Sequence, residues 1–197
     1  MRGISAGAAA PRTRPVNSPP VTGVCEECGF DYAGPAPAEL PDALRVFGRR
    51  YRAPLTRFLP GEDGATLIRA RPLPDTWSAL EYACHVRDVL EVQRERLEIA
   101  LAEHRPTFPS KGMYGWPEER AYNEEDAAVV LNDLAARAEG LATLVATIGD
   151  DGWDRPLVYS YPEPADRTVL WLVRHTVHEG HHHLLDVGRV LRAARGR

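Results

Sequence analysis

The chain of 197 residues is 44% hydrophobic and 26% charged, a balance that suits one soluble domain with a core of its own. Its net charge of -4 argues against nucleic acid as the main partner, because phosphate binding needs a clustered basic excess. No stretch reaches the roughly 18 consecutive apolar residues of a membrane span, and three cysteines are too few for a disulfide scaffold. We therefore expect a cytoplasmic protein without a membrane partner.

The composition divides the chain into three predicted regions. Residues 1–24 carry four prolines among small residues, and this segment is too poor in apolar side chains to offset its chain entropy, so we expect disorder. Residues 25–37 contain Cys25 and Cys28 in a knuckle-like C-x-x-C turn. Residues 38–197 form the remaining domain.

The domain from residue 38 onward has apolar residues at three- and four-residue steps, the period of amphipathic helices. The first helix follows Ala38 and contains Pro54, which should kink or shorten it. The start and stop signals predict three further helices, from Asp75 or Thr76 to about His104, from Asn123 to about Ile148, and from Asp166 to about Ala194. Only residues 157–159 favour a short extended piece. Four such segments predict an all-α four-helix bundle.

Five of the seven histidines lie within nine residues of the last predicted helix. At about 100° per residue, His178 and His182 lie one turn apart on one face, where a pair of imidazoles can hold one metal ion. His85, mid-way along the second helix, is the candidate third ligand. Three imidazoles meeting between two helices would leave positions open for water or substrate, as in catalytic metal sites. Zinc, nickel and ferrous iron all suit these ligands.

Simpler interpretations of the same residues stay open. His85 alone is more often a satisfied core or surface histidine, and the run from His181 to His183 is compatible with a solvated face or adventitious metal binding. Glu81 and Asp186 each lie one turn from a predicted ligand, where a carboxylate can accept a hydrogen bond from the free ring nitrogen. An exposed salt bridge to an arginine is the alternative for these carboxylates.

The cysteine pair has three interpretations. Cys25 and Cys28 supply two sulfurs in the manner of a zinc knuckle, but zinc takes four ligands and the sequence has no second pair. They form half of a metal site completed by other residues or a second chain, a redox pair, or a turn without chemistry. Cys84 is predicted to be buried packing, and Glu179, about 100° from His178, to be solvated.

Two motifs resemble the DinB-like family. Residues 77–85 read W-S-x-x-E-x-x-x-H, similar to the opening of the family's second helix, and residues 178–182 read H-x-x-H-H, similar to an element of its last helix. The resemblance runs from about residue 38 to the end of the chain. It implies a four-helix bundle with a divalent metal held by His85, His178 and His182. His183 begins H-L-L where the family often has R-G-Q, so substrate contacts do not carry over.

The resemblance also implies a class of reaction. The family includes mycothiol- and bacillithiol-dependent transferases and maleylpyruvate isomerases, in which the metal is thought to bind the thiol cofactor. We therefore expect a metal-dependent S-transferase that activates a mycothiol-type thiol against a small electrophile; the arginine-rich composition, typical of a GC-rich genome, favours mycothiol. The alternatives are a metal-dependent hydrolase with water as nucleophile and a non-catalytic metal- or ligand-binding or sensing protein. A small-molecule substrate is the expected partner and, since such bundles often pair, a homodimer is compatible with the sequence.

Overall fold

The computed structural model describes residues 23–161 and 163–196. The predicted disordered tail, residues 1–24, lies outside the described residues except for its last two. Six α-helices and three short strands are formed within the described ranges. The helices are α1 (Leu40–Thr56), α2 (Gly64–Arg69), α3 (Ala79–Ala102), α4 (Trp116–Glu119), α5 (Ala127–Val145) and α6 (Val169–Ala194), and the strands are β1 (Thr107–Phe108), β2 (Pro156–Ser160) and β3 (Pro164–Thr168).

The four long helices α1, α3, α5 and α6 form the predicted four-helix bundle, and the all-α fold class is confirmed. Helix α1 packs mainly against α5 and then α6, whereas α3 packs mainly against α6 and then α5, so α1 and α3 lie on one diagonal. All four helices contribute buried side chains to the core, among them Phe47, Tyr51, Leu90, Leu134 and Leu172. None of the described helices is long and apolar enough to span a bilayer.

Three of these helices begin two or three residues later than the sequence suggested. The side chains that accept the first free backbone N–H groups are Ser78 for α3, Asp126 for α5 and Thr168 for α6. Ser78 and Glu81 form a reciprocal capping box, in which each side chain bonds the other's backbone N–H. Asp166, the predicted start of the last helix, lies instead in β3 opposite Val158 of β2.

The small sheet has the order β1-β2-β3, with β1 parallel and β3 antiparallel to β2. The sequence predicted only the extended piece that became β2. Leu157 and Tyr159 of β2 alternate into the protein interior. Because β3 ends at Thr168, which caps α6, the sheet fixes where the last helix enters the bundle.

Residues 23–36, here called the N-terminal turn, lie against α6. Val24 forms an antiparallel bridge with Asp31, and the Gly29 N–H donates to the Cys25 carbonyl at 2.8 Å. Gly29 has φ of +73°, a left-handed conformation that suits glycine. On the α6 side, the Arg174 guanidinium donates to the Pro35 carbonyl.

Candidate functional site

The structure places the predicted metal ligands in two clusters of close donor groups, which a third group, His175, His178 and Glu179, connects. His85 is not grouped with His178 and His182 as the sequence suggested. The first set of mutually close donor groups, here called the pocket cluster, consists of His85, Glu179 and His183. The second, the knuckle cluster, consists of Cys25, Cys28, His178 and His182. Within each cluster one ligand atom per residue lies within 4.8 Å of the others.

Helix α6 supplies a pair of residues, four apart, to each cluster. His178 and His182 face the N-terminal turn, whereas Glu179 and His183, one residue further on, face His85 of α3. One residue corresponds to about 100° of rotation, so the two pairs point in different directions. The sequence identified the spacing, but the pair that meets His85 is the neighbouring one.

The pocket cluster is built around His183. Its Nε2 atom lies 3.7 Å from Glu179 Oε2, and its Nδ1 atom lies 3.1 Å from Asp186 Oδ2. The ring of His85 meets the ring of His183 edge to face, with centroids 4.9 Å apart. His85 is buried, and its Nδ1 atom has no hydrogen-bond partner among the described residues. A buried imidazole nitrogen without a partner is costly unless something else binds there.

Charges in the pocket cluster are arranged to favour a cation. Burial, reinforced by the nearby His183, lowers the pKa of His85 to about 3, so this imidazole is neutral and can act as a ligand. Burial disfavours charge on His183, yet its hydrogen bonds with Asp186 and Glu179 raise its pKa to about 9. Burial also opposes ionisation of Glu179, but His183 and His175 hold the pKa of that carboxyl well below its usual range.

These donors fit a divalent metal ion. Two imidazoles and one carboxylate form a common ligand set for zinc, iron, nickel or manganese, and leave positions open for other molecules. Asp186, bonded to His183 Nδ1, supplies the outer carboxylate that orients a metal-binding histidine. The sequence assigned Asp186 to His182, whose Nε2 atom lies further away, at 3.9 Å.

Glu81, the other predicted orienting carboxylate, has different partners. It accepts from the backbone N–H of Ser78 and forms a salt bridge with Arg71. These two interactions stabilise the start of α3 and do not orient His85. Cys84 is fully buried and its thiol contacts the Tyr122 carbonyl at 3.7 Å, in agreement with the packing role expected for it.

A pocket of about 550 Å³, including its open mouth, lies over the pocket cluster. Helices α3 and α6 form its floor, β2 forms one wall, and the loop before α4 forms another. The lining residues are His85, Val89, Val92, Gln93, Arg96, Ser110, Lys111, Gly112, Met113, Tyr114, Tyr159, Tyr161, His175 and Glu179. Two of the candidate metal ligands, His85 and Glu179, therefore lie where a small molecule can reach them.

Two polar residues of α3, Gln93 and Arg96, line this pocket. Arg96 is buried, and its guanidinium donates to the Tyr159 hydroxyl at 2.8 Å and to the Pro109 carbonyl at 2.7 Å. Both of these partners are neutral, so the arginine brings net positive charge to the wall. Gln93 donates to the same hydroxyl, while its buried Oε1 atom has no partner among the described residues. That oxygen is available to accept from a bound molecule.

The knuckle cluster lies under the N-terminal turn. The Cys25 Sγ atom is 3.6 Å from His182 Nδ1. The Tyr32 hydroxyl lies 2.9 Å from His178 Nδ1 and 2.7 Å from His175 Nδ1. His178 is fully buried, and its Nε2 atom has no hydrogen-bond partner in the described part of the chain.

Sequence reasoning missed several residues of the site. Glu179 was predicted to be solvated, but only 16% of its side chain is exposed. The signal for it was present, because Glu179 and His183 have the same i, i+4 spacing as His178 and His182. Arg96 and the loop that closes the pocket carried no motif, so only the fold could place them.

Comparisons with known proteins agree with this architecture. A search of the curated proteins finds no match. Among solved structures, YfiT from Bacillus subtilis is similar, with a TM-score of 0.70 and 15% identity over 79% of this chain and 86% of that chain. YfiT is described as a probable metal-dependent hydrolase with an unusual four-helix bundle topology. The profile of the DinB superfamily matches residues 63–187, which include both halves of the pocket cluster. This chain therefore belongs to the DinB superfamily.

Proposed function

We propose that the chain is a divalent-metal-dependent enzyme that activates a low-molecular-weight thiol of the mycothiol type for transfer of its sulfur to a small electrophile. The observation that carries the proposal is the pocket cluster: His85 and Glu179 line a pocket open to small molecules, and a donor atom of His183 lies within 4.8 Å of theirs. A divalent cation held there would lower the pKa of a thiol or of water and so supply a nucleophile near neutral pH.

The side chains around the cluster have separate roles in this proposal. Asp186 accepts from His183 Nδ1 and leaves the Nε2 atom directed towards Glu179. Burial keeps His85 neutral, so that its lone pair is available to a cation. The contacts of His183 with Asp186 and Glu179 and the burial of His85 hold the donor atoms in place before any ligand arrives.

The pocket walls would bind the rest of the reacting molecules. The free Oε1 atom of Gln93 can accept from a hydroxyl or amide N–H of the thiol cofactor or substrate. The buried guanidinium of Arg96 favours an electronegative oxygen on the partner molecule. Val89, Val92 and Met113 add apolar surface that excludes water.

Hydrolysis is the second candidate, because the structural neighbour YfiT is described as a probable metal-dependent hydrolase. The same cluster would serve, with water in place of the thiol. The size of the pocket and its polar groups suit either nucleophile, and the thiol is preferred here because the sequence motifs resemble a family that includes thiol-dependent transferases.

The two candidates are separated by incubating the full chain, loaded with zinc, nickel, iron or manganese in turn, with mycothiol and monochlorobimane. In the expected reaction a C–S bond forms, the C–Cl bond breaks, chloride leaves with the bonding electrons, and the thiol proton goes to solvent. A fluorescent conjugate supports thiol transfer. Cleavage of ester or amide substrates without any conjugate supports the hydrolase, and tight metal binding without either activity supports a binding protein.

Two variants test the role of the pocket cluster. Glu179→Gln and His183→Ala should each lower the rate by about 100-fold, because each removes a metal ligand. His181→Ala is the matched control, since it lies on the same helix but belongs to neither cluster. Equal losses in all three variants would contradict the assignment of the ligands.

A further inference from the structure

The knuckle cluster has no part in the function proposed above. Cys25 and Cys28 lie before residues 63–187, which match the DinB superfamily, so they are an addition to the matched region. We propose that Cys25, Cys28, His178 and His182 form a closed structural zinc site that fastens the N-terminal turn to α6. The chain would then hold two metal ions with different roles, a structural ion in the knuckle cluster and a reactive one in the pocket cluster.

The spacing of the donor atoms fits tetrahedral zinc. With Zn–S bonds of about 2.3 Å and Zn–N bonds of about 2.0 Å, tetrahedral geometry separates sulfur from nitrogen by roughly 3.6 Å. The Cys25 Sγ atom lies 3.6 Å from His182 Nδ1, and all four donors lie within 4.8 Å of one another. Two thiolates and two imidazoles form a set that zinc binds in structural sites, and sulfur ligands disfavour magnesium and calcium.

The hydrogen bonds of the two histidines also suit a metal between them. His178 Nε2 is buried without a partner, while its Nδ1 atom lies 2.9 Å from the Tyr32 hydroxyl. If Nε2 binds zinc, Nδ1 carries the proton and donates to Tyr32, which then donates its own proton to His175 Nδ1 at 2.7 Å. Every donor in this series of hydrogen bonds, from His178 through Tyr32 to His175, then has an acceptor, as is usual around metal-bound histidine.

The turn presents its sulfurs as a zinc knuckle does. The Cys25 N–H donates to the Phe30 carbonyl and the Gly29 N–H to the Cys25 carbonyl, both at 2.8 Å, so the loop between the cysteines folds back on itself. Cys25 and His178 are almost completely buried, with exposed fractions of 1% and 0%. Four protein ligands in such a setting leave no open position for a substrate, which favours a structural role.

A zinc site would strengthen the attachment of the N-terminal turn, whose other contacts include the Arg174–Pro35 hydrogen bonds and the Arg189–Glu27 ion pair. Within residues 23–36 only Cys25 and Tyr32 are buried, too little apolar surface to hold a 14-residue segment by packing alone. Zinc binding would supply that free energy. It would also set the position of Tyr32, whose hydroxyl contacts His175 in the wall of the pocket.

The first test is metal analysis of the full chain, purified without a polyhistidine tag and kept reduced with a phosphine. We expect two equivalents of zinc per chain. Replacing zinc with cobalt should produce the thiolate-to-cobalt charge-transfer absorption of a sulfur-ligated tetrahedral site. Absence of this absorption would overturn the proposal.

Variants assign each ion to its cluster. Cys28→Ser should lose one equivalent and the charge-transfer absorption while the pocket cluster keeps its metal, whereas His183→Ala should lose the other equivalent and keep the absorption. His181→Ala should keep both ions. The proposal is wrong if Cys28→Ser binds as much zinc as the unaltered chain. Since the two losses are independent, failure here leaves the proposed pocket function untouched.

A measurement on the unaltered chain guards against variants that do not fold. With zinc present, Cys25 and Cys28 should resist alkylation, as read by mass spectrometry of the peptides, and should become reactive after a chelator removes the metal. Cys84 serves as the internal control, because it is buried elsewhere and should not respond to zinc. Rapid alkylation in zinc, or recovery of Cys25 and Cys28 as a disulfide that zinc does not prevent, would contradict the zinc site and favour a redox pair.

Discussion

Neighbouring residues of α6 belong to two different clusters of donor atoms. His178 meets cysteines, while the adjacent Glu179 meets the histidine of another helix. The two i, i+4 pairs are equivalent in helix geometry, and only the direction of α6 relative to α3 and the N-terminal turn distinguishes them. Asp186 stands near both, 3.1 Å from His183 Nδ1 and 3.9 Å from His182 Nε2. Single substitutions should therefore act mainly on one cluster, while Asp186 and the close group of His175, His178 and Glu179 connect the two.

Asp186→Asn tests the orienting role at the residue scale. The amide removes the negative charge that fixes His183 Nδ1–H, so the affinity of the pocket cluster for zinc should fall by about 10- to 100-fold while its ligands remain. Competition with a chromophoric chelator measures the affinity. Arg189→Gln is the control, since it removes the ion pairs of Arg189 with Asp186 and Glu27 and leaves the bond between Asp186 and His183. A similar loss in the control would assign the effect to the ion pair instead.

The sequence prediction named the helices and the i, i+4 spacing, while the donor atoms that the structure places close to His85 are those of Glu179 and His183 rather than His178 and His182. His85 was recognised because it lies mid-way along a long helix within a motif. His183 was not, because the packing of α6 on α3 decides which of two equally spaced pairs faces His85. For Cys25 and Cys28, half of a metal site was one of three interpretations, and no completing residue could be named because about 150 residues separate the pair from His178. Contacts between residues so far apart in sequence are set by tertiary packing, which helical periodicity does not predict.

At the scale of elements, the bundle followed from apolar periodicity and the small sheet did not. Strands of two to five residues are too short to show alternation. The sequence also did not predict how closely α1 approaches α6, because this distance depends on position 180 being a glycine. Gly180 of α6 lies against the ring of Phe47 in α1. The Tyr51 hydroxyl, also in α1, donates to the Gly180 carbonyl at 2.7 Å. Glycine in a helix interior usually lowers the stability of the helix. At position 180 its presence is explained by the close packing against Phe47.

Gly180→Ala should destabilise the bundle even though alanine is the better helix former. A Cβ atom at this position would lie 2.5 Å from two ring atoms of the buried Phe47, so α1 and α6 must move apart, at a cost of about 1 to 3 kcal/mol. Gly188→Ala on the same helix meets nothing within 4 Å and should be neutral or stabilising by up to about 1 kcal/mol. Urea unfolding followed by circular dichroism compares them. Equal stabilities would mean that the helices adjust freely at this contact.

For the whole molecule, ion pairs are numerous but mostly at the surface. Pairs such as Arg45 with Asp42 and Arg94 with Glu98 are exposed and contribute little. Asp88 of α3 differs because it is buried and joins separate parts of the chain. The donors to its two oxygens are Arg87, Arg120, Tyr122 and Arg137, at 2.6 to 2.9 Å. This carboxylate links α3 to α5 and to the connection between α4 and α5.

Asp88 should therefore make the stability of the molecule sensitive to acid. Burial opposes its charge, but the hydrogen bonds from Arg87 and Tyr122 outweigh this and lower the pKa of the carboxyl below its ordinary value. A lowered folded-state pKa adds stability above the unfolded-state pKa of about 3.9 and loses it as the pH falls through the folded value. Asp88→Asn should lower the free energy of unfolding by about 1 to 3 kcal/mol at pH 7, and the difference from the unaltered chain should shrink below about pH 4. Chemical denaturation across this range measures it, with the exposed Asp42→Asn as a control that should change little. A difference that stays constant down to acid pH would mean that the charge of Asp88 does not stabilise the fold.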